Sequence, residues 1–263
     1  MRTRFLQASL LGALLAPAAA AAQSLPFLFV DGPSFDPRPR TQFQYDAAYG
    51  DRGLQSIDGN GMWHRLVAAA RLTPSLTALA RVEMTPLANR QGFSEQVELN
   101  WQPSAALSRT TPFAVALGAR REWQGTNVVT AHAAAAHNFG KSLLGAQVRA
   151  EHPLTSGRDA IDLITSAGWS TRVSSIGRLG VEAIGQDLEG FWSTEEAEGG
   201  ATLFAGPSLA LAPAGAHWAL VLGGGPVLRA THSARNSGAP RDVVMDRSRG
   251  YLLQTSFRML VGR

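Results

Sequence analysis

From about Arg40 onward the chain alternates apolar and polar residues one for one. That period of two commits it to strands with one apolar and one polar face. Ser94, Gln96, Glu98, Asn100 and Gln102 share one face of such a segment, and Val97, Leu99 and Trp101 share the other. Residues 113–123 repeat the pattern, opposing Phe113, Val115, Leu117, Ala119 and Trp123 to Ala114, Ala116, Gly118, Arg120 and Glu122. Leu144, Ala146, Val148 and Ala150 oppose Gly145, Gln147, Arg149 and Glu151. Ile161, Leu163, Ala167 and Trp169 oppose Asp162, Ser166, Gly168, Ser170 and Arg172. The last segment opposes Tyr251, Leu253, Phe257, Met259 and Val261 to Gln254, Ser256 and Arg258.

About twelve such segments can be counted, centred on 41–50, 61–72, 76–84, 94–102, 112–123, 127–139, 142–151, 160–172, 175–187, 200–212, 216–230 and 249–261. The period blurs in 61–72 and 127–139, where alanine occupies both faces. An even number of antiparallel strands suits a closed barrel, and tilted strands of ~9–11 residues cross a bilayer core. The expected fold is all-β: a single antiparallel transmembrane β-barrel of about twelve strands, preceded by a signal peptide. The connections give a second signal. Those at 73–75, 140–141, 173–174 and 213–215 are tight, whereas those at 51–60, 85–93, 152–159, 188–199 and 231–248 are long. Short turns on one rim and long loops on the other are the habit of outer-membrane barrels. Connections 103–111 and 124–126 break the rule. Tyr45, Trp101, Phe113, Trp123, Phe139 and Tyr251 fall near predicted strand ends, as an aromatic girdle requires. Pro207 and Pro226 call for bulges or breaks, because a closed barrel has no edge on which to hide a missing N–H.

Three regions are expected. Residues 1–22 form a signal peptide: Arg2 and Arg4 are its basic start, Phe5 to Leu15 its apolar core, and Ala20-Ala21-Ala22 its cleavage pattern before Gln23. Residues 23–40, with Pro26, Pro33, Pro37 and Pro39, form an extended periplasmic lead-in, and residues 41–263 form the barrel. No apolar run of about 18 residues follows the leader, which excludes helical spans. The chain has no cysteine, which excludes a disulfide framework and thiolate metal sites. The formal charge of +4 includes two from Arg2 and Arg4, and no Lys/Arg run exists, so nucleic acid is not an expected partner.

In its alternating strands, its two unequal rims and its girdle, the sequence resembles bacterial outer-membrane β-barrel proteins. The resemblance covers nearly the whole mature chain and is one of pattern, with no specific subfamily. It implies residence in the cell outer membrane, contact with outer-membrane lipid and lipopolysaccharide, insertion by the barrel assembly machinery, and porin-like transport of small polar solutes or a structural role. Such barrels usually end in an aromatic residue that the assembly machinery reads. This chain ends Leu260-Val261-Gly262-Arg263, with Phe257 its last aromatic.

If the apolar face meets lipid, the polar face lines the lumen. It then carries Arg71, Arg81, Glu83, Glu98, Arg120, Glu122, Arg149, Glu151, Asp162, Arg172, Arg178, Glu182 and Arg258. The pairs Arg81/Glu83, Arg120/Glu122 and Arg149/Glu151 are two residues apart, so each lies on one face of one strand and can bridge to neighbours. Two readings follow: a narrow, weakly selective pore, or a lumen braced shut by ion pairs.

No catalytic, metal-binding or cofactor-binding residues are assigned, and neither an enzyme activity nor a cofactor is expected. His132 and His137 are five apart and face opposite sides of a strand, which prevents a shared metal. An outer-membrane lipid-acting enzyme is the alternative within the barrel class. No histidine is closely followed by Ser-Asn-Gly, and no G-x-S-x-G elbow is present. A secreted soluble β-barrel that binds a ligand is the alternative outside it. Gly223-Gly224-Gly225 lacks the Lys-Ser/Thr of a phosphate cradle and fits a barrel bend. The loop from Glu189 to Glu198 is acidic, and that from Arg229 to Arg249 is arginine-rich and suited to lipopolysaccharide phosphates.

Overall fold

A computed structural model of the chain describes residues 26–31, 41–51, 60–87, 90–103, 111–122, 125–154, 161–191, 201–213, 215–232, 243–245 and 250–261. The alternating segments become β1 (Thr41–Asp51), β2 (Asn60–Thr73), β3 (Leu76–Leu87), β4 (Arg90–Trp101), β5 (Phe113–Arg121), β6 (Asn127–Phe139), β7 (Ser142–Pro153) and β8 (Asp162–Arg172). They continue as β9 (Gly177–Gln186), β10 (Ala201–Leu211), β11 (Trp218–His232), the short β12 (Val243–Met245) and β13 (Gly250–Val261). Each long strand pairs antiparallel with its sequence neighbour. β13 then pairs with β1 from Thr41↔Val261 to Gly50↔Leu252, which seals a twelve-strand barrel and leaves no edge. β12 extends the wall only locally, against Ala230–His232 of β11.

In the strands with large outward side chains, burial follows the sequence alternation. Val97, Leu99, Leu117, Val148, Leu163, Val181 and Leu253 are exposed on the outside, while Ser94, Gln96, Glu98, Gln147, Ser166, Ser170 and Ser256 are buried inside. An apolar exterior around a polar interior inverts the arrangement of a soluble protein, and hydrocarbon is the solvent it fits. Aromatics gather near the strand ends: Trp101 meets Phe113 edge-on at 6.4 Å, and Tyr49 meets Tyr251 at 6.3 Å. Tyr45 instead sits mid-strand, paired with Leu66 and Phe257. Trp123 lies outside the described residues.

Two expectations need correction. Connection 85–93 is shorter than read, because β3 runs to Leu87 and β4 begins at Arg90. Pairing continues through Thr85↔Gly92 and Pro86↔Gln91, since the alternation does not stop at Thr85. The lead-in, as far as it is described, is not outside the barrel: Phe27, Leu28 and Val30 are buried in its lumen. They are apolar, and the lumen offers three apolar clusters that accept them.

The two prolines share one break. β10 and β11 pair through Phe204↔Val227 and again through Ser208↔Gly223; the residues between do not pair with each other, though those of β10 still pair with β9 and those of β11 with β13. Pro207 and Pro226 both lie in that gap. Gly206, Gly224 and Gly225 lie there too, and a Cβ on Gly206 would meet the Gly224 carbonyl oxygen at 2.1 Å. Only glycine permits the two backbones to approach so closely.

Candidate functional site

Among the described residues, charged and polar side chains converge in the lumen. Of the thirteen residues expected there, Arg81, Glu83, Glu98, Arg120, Glu151, Asp162, Glu182 and Arg258 are buried. Arg71, Glu122, Arg149 and Arg178 are half-buried, and Arg172 is exposed at the end of β8. Arg178 donates to the Ser170 hydroxyl at 3.0 Å and to the Lys141 carbonyl at 3.1 Å, tying the rim of the tight turns.

The strongest cluster joins β5 to β7 over the intervening β6. Arg120 donates to both oxygens of Glu151, at 2.8 and 2.6 Å, and to Glu122 at 2.9 Å. Arg149 Nε lies 3.0 Å from Glu151 Oε1. Two of the three i, i+2 pairs thus bridge as the spacing suggests. Arg81 donates instead to Gln96 at 3.2 Å and to Asp31 of the N-terminal segment at 3.0 Å. Glu98 carries the chain of contacts on to His132, 3.5 Å away. His137 faces outward and stacks on Phe139, so the two histidines are separated by the wall. Among the described residues no histidine and carboxylate cluster suits a metal ion.

Sequence reasoning missed a second ion pair, Arg65 Nε to Asp46 Oδ2 at 2.6 Å, supported by Gln44 at 2.9 Å. Asp46 on β1 pairs with Arg65 on β2, the strand where alanines hide the alternation. It also missed that the inner face is not uniformly polar. Trp63, Ile164, Ile184, Phe204, Val227 and Leu252 point inward and pack together with Ala48, and Phe29 closes over them. Such residues on a polar face were the available signal that something apolar occupies the lumen.

That occupant is residues 26–31. Phe29 packs on Phe204 with ring centroids 4.9 Å apart. Phe27 and Val30 join Ala136 and Leu143, and Leu28 joins Ala210 and Val221. Phe27 rests where side chains are missing: Gly145 and Gly168 are cross-strand partners, and Cβ atoms on them would lie 2.8 and 2.6 Å from its ring. The backbone of the segment is held by side chains of the wall. Glu182 Oε2 accepts from the N–H groups of Leu28 and Phe29, at 2.7 and 3.1 Å. Gln147 Oε1 accepts from the Asp31 N–H at 2.7 Å, and the Ser166 hydroxyl donates to the Phe29 carbonyl at 2.8 Å. Arg258 donates to the Phe27 carbonyl. Burial opposes ionisation of Asp31, but Arg81, Arg65 and Arg258 outweigh it and hold its carboxyl well below the usual carboxylate range.

Each fully buried side chain of the segment contributes about 1.5–3 kcal/mol. Ordering its backbone costs about 1–2 kcal/mol per residue, so the docking is finely balanced. Among the described residues a cavity of about 50 Å³ lies between Asp31, Arg65, Arg81, Gln147 and Gln254. That volume holds one or two water molecules, not a solute.

No protein-family model matches the chain, and no curated protein matches it. Solved structures do. The KdgM porin in complex with disordered oligogalacturonate superposes with a TM-score of 0.55 at 9% identity, over 84% of this chain and 99% of that one. A second structure of the KdgM porin gives 0.53 at 8% identity, over the same shares. The NanC porin follows at 0.44 and 7% identity, over 82% and 98%. The chain shares its barrel fold with the KdgM porin.

Proposed function

We propose that the chain resides in the outer membrane and provides a narrow passive path for small polar solutes. The observation that carries this reading is the closed twelve-strand barrel with a lipid-compatible exterior and a charged interior. The porin fold supports it at the level of architecture. A mature chain refolded into a planar bilayer should give discrete conductance steps, and their ion selectivity reports whether arginines or carboxylates dominate the path. Complete silence from well-inserted protein, both intact and lacking residues 26–31, would overturn the reading.

A second reading, a structural barrel with a braced lumen, is favoured by one specific observation. The Arg120–Glu151 bidentate pair, with Arg149 on the same carboxylate, ties β5 to β7 across the inner face of β6. An activity on outer-membrane lipid is the remaining alternative, and a lipase assay on the purified barrel checks it. Insertion by the barrel assembly machinery and lipopolysaccharide contacts from the 231–248 loop belong to the same proposal. The arginine-rich part of that loop lies mostly outside the described residues, as does the acidic loop beyond Phe191.

A further inference from the structure

We propose that the lumen contains a binding site for an extended apolar segment ending in a carboxylate, and that residues 26–31 are its built-in ligand, a plug whose release opens the barrel. The proposal rests on the pore reading above and names what controls that pore.

Four observations separate a seated ligand from an ordinary part of the wall. The described hydrogen bonds of the segment's backbone run to side chains, those of Arg258, Glu182, Ser166 and Gln147, and not to a strand ladder. A strand would be held by its neighbour's backbone; this segment is held as a peptide is held in a cleft. The seat is preformed by absent side chains. Gly145 and Gly168 make the flat floor under Phe27, and Gly223 makes room for Leu28, whose Cδ1 would lie 2.6 Å from a Cβ there. The main ties of the wall are made among wall residues alone. The β1–β13 seam, the Arg120–Glu151 bridge and the Arg65–Asp46 pair all close without it. Finally, if cleavage falls before Gln23, as the leader pattern predicts, the plug is only a few residues from the first residue of the mature chain.

The chemistry of the site is specific. Three apolar pockets take the side chains at 27, 28 and 29, Glu182 takes two successive amide N–H groups, and Arg81 takes the carboxylate of Asp31. With the segment gone, the space that Phe27, Leu28, Phe29 and Val30 fill would join the 50 Å³ cavity beside Asp31 as an amphiphilic path.

The chain lacks cysteine, so an engineered pair is the only thiol chemistry present. Phe27 Cγ lies 3.1 Å from the position of a Cβ on Gly168, which brings the two Cβ positions within disulfide range. The double variant Phe27→Cys with Gly168→Cys also removes the ring that a new Cβ would strike. Inserted in a bilayer and oxidised, it should cross-link within one chain, seen as a mobility shift that reductant reverses, and should stay shut. Reduced, it should open more often than wild type. The variant lacking residues 26–31 should raise the open probability by about tenfold or more. A synthetic peptide of residues 26–31 should block that variant from one side of the membrane only. Failure of the cross-link to form in inserted protein, or conductance that the cross-link leaves unchanged, overturns the plug while the pore stands. An inserted, silent barrel without residues 26–31 overturns the pore reading itself.

Discussion

At the scale of single residues, charge inside this barrel acts in pairs. Arg120 is buried and shares Glu151 with Arg149, so removing it strips a buried carboxylate of its bidentate partner and leaves it Arg149 alone. Arg120→Ala should destabilise the inserted barrel by about 3–5 kcal/mol, and joint replacement by Arg120→Met with Glu151→Leu should cost much less. Urea titration in lipid vesicles measures both. Asp31 offers a signed pH test. Its carboxyl is depressed in the folded chain, so its contribution is complete above the unfolded value near 3.9 and is lost only as pH falls through the folded one. Docking yields with and without Asp31→Asn should therefore differ by a constant factor from neutrality down to about pH 4. A difference that decays between pH 7 and pH 5 would contradict this assignment. The pairs themselves were partly legible: i, i+2 spacing announced Arg120/Glu122 and Arg149/Glu151. The Arg120–Glu151 contact was not, because it spans a strand and depends on register that no local pattern encodes.

At the scale of elements, alternation read the strands well wherever side chains were large. In β4, β5, β8 and β13 the residues assigned outward are the exposed ones. It failed in β2 and β6, where alanine carries no hydrophobic contrast and Trp63 turns inward against the rule. The two faces answer substitution differently. Leu117 lies bare on the lipid side, so Leu117→Arg should cost about 2–4 kcal/mol near the midplane. The β10–β11 break is the wall's weakest stretch. Amides flanking Pro207 and Pro226 should exchange hydrogen faster than those of any other described strand centre. Gly206→Val should prevent the heat-modifiable gel migration of a closed barrel, because its Cβ alone would meet a carbonyl oxygen. Normal migration of that variant would show that the gap relaxes.

At the scale of the whole molecule, the outside was more legible than the inside. Closure, strand number and unequal rims follow from periodicity and spacing, which are local. That residues 26–31 lie within the barrel does not, since four prolines in 23–40 equally suit an extended tail outside it. Because the seam and the ion pairs close without the segment, the variant lacking residues 26–31 should still migrate as a folded barrel. Loss of the folded band would make the segment a core element. The seam also has a temporal meaning. Residue 41 pairs with residue 261, so the pairing that completes the wall joins the first strand made to the last. Contacts so distant in sequence form late and slowly. The same final strand supplies Arg258, which clasps the Phe27 carbonyl. A chain released early from the ribosome has neither seam nor clasp, and enclosure of its beginning certifies that its end was made.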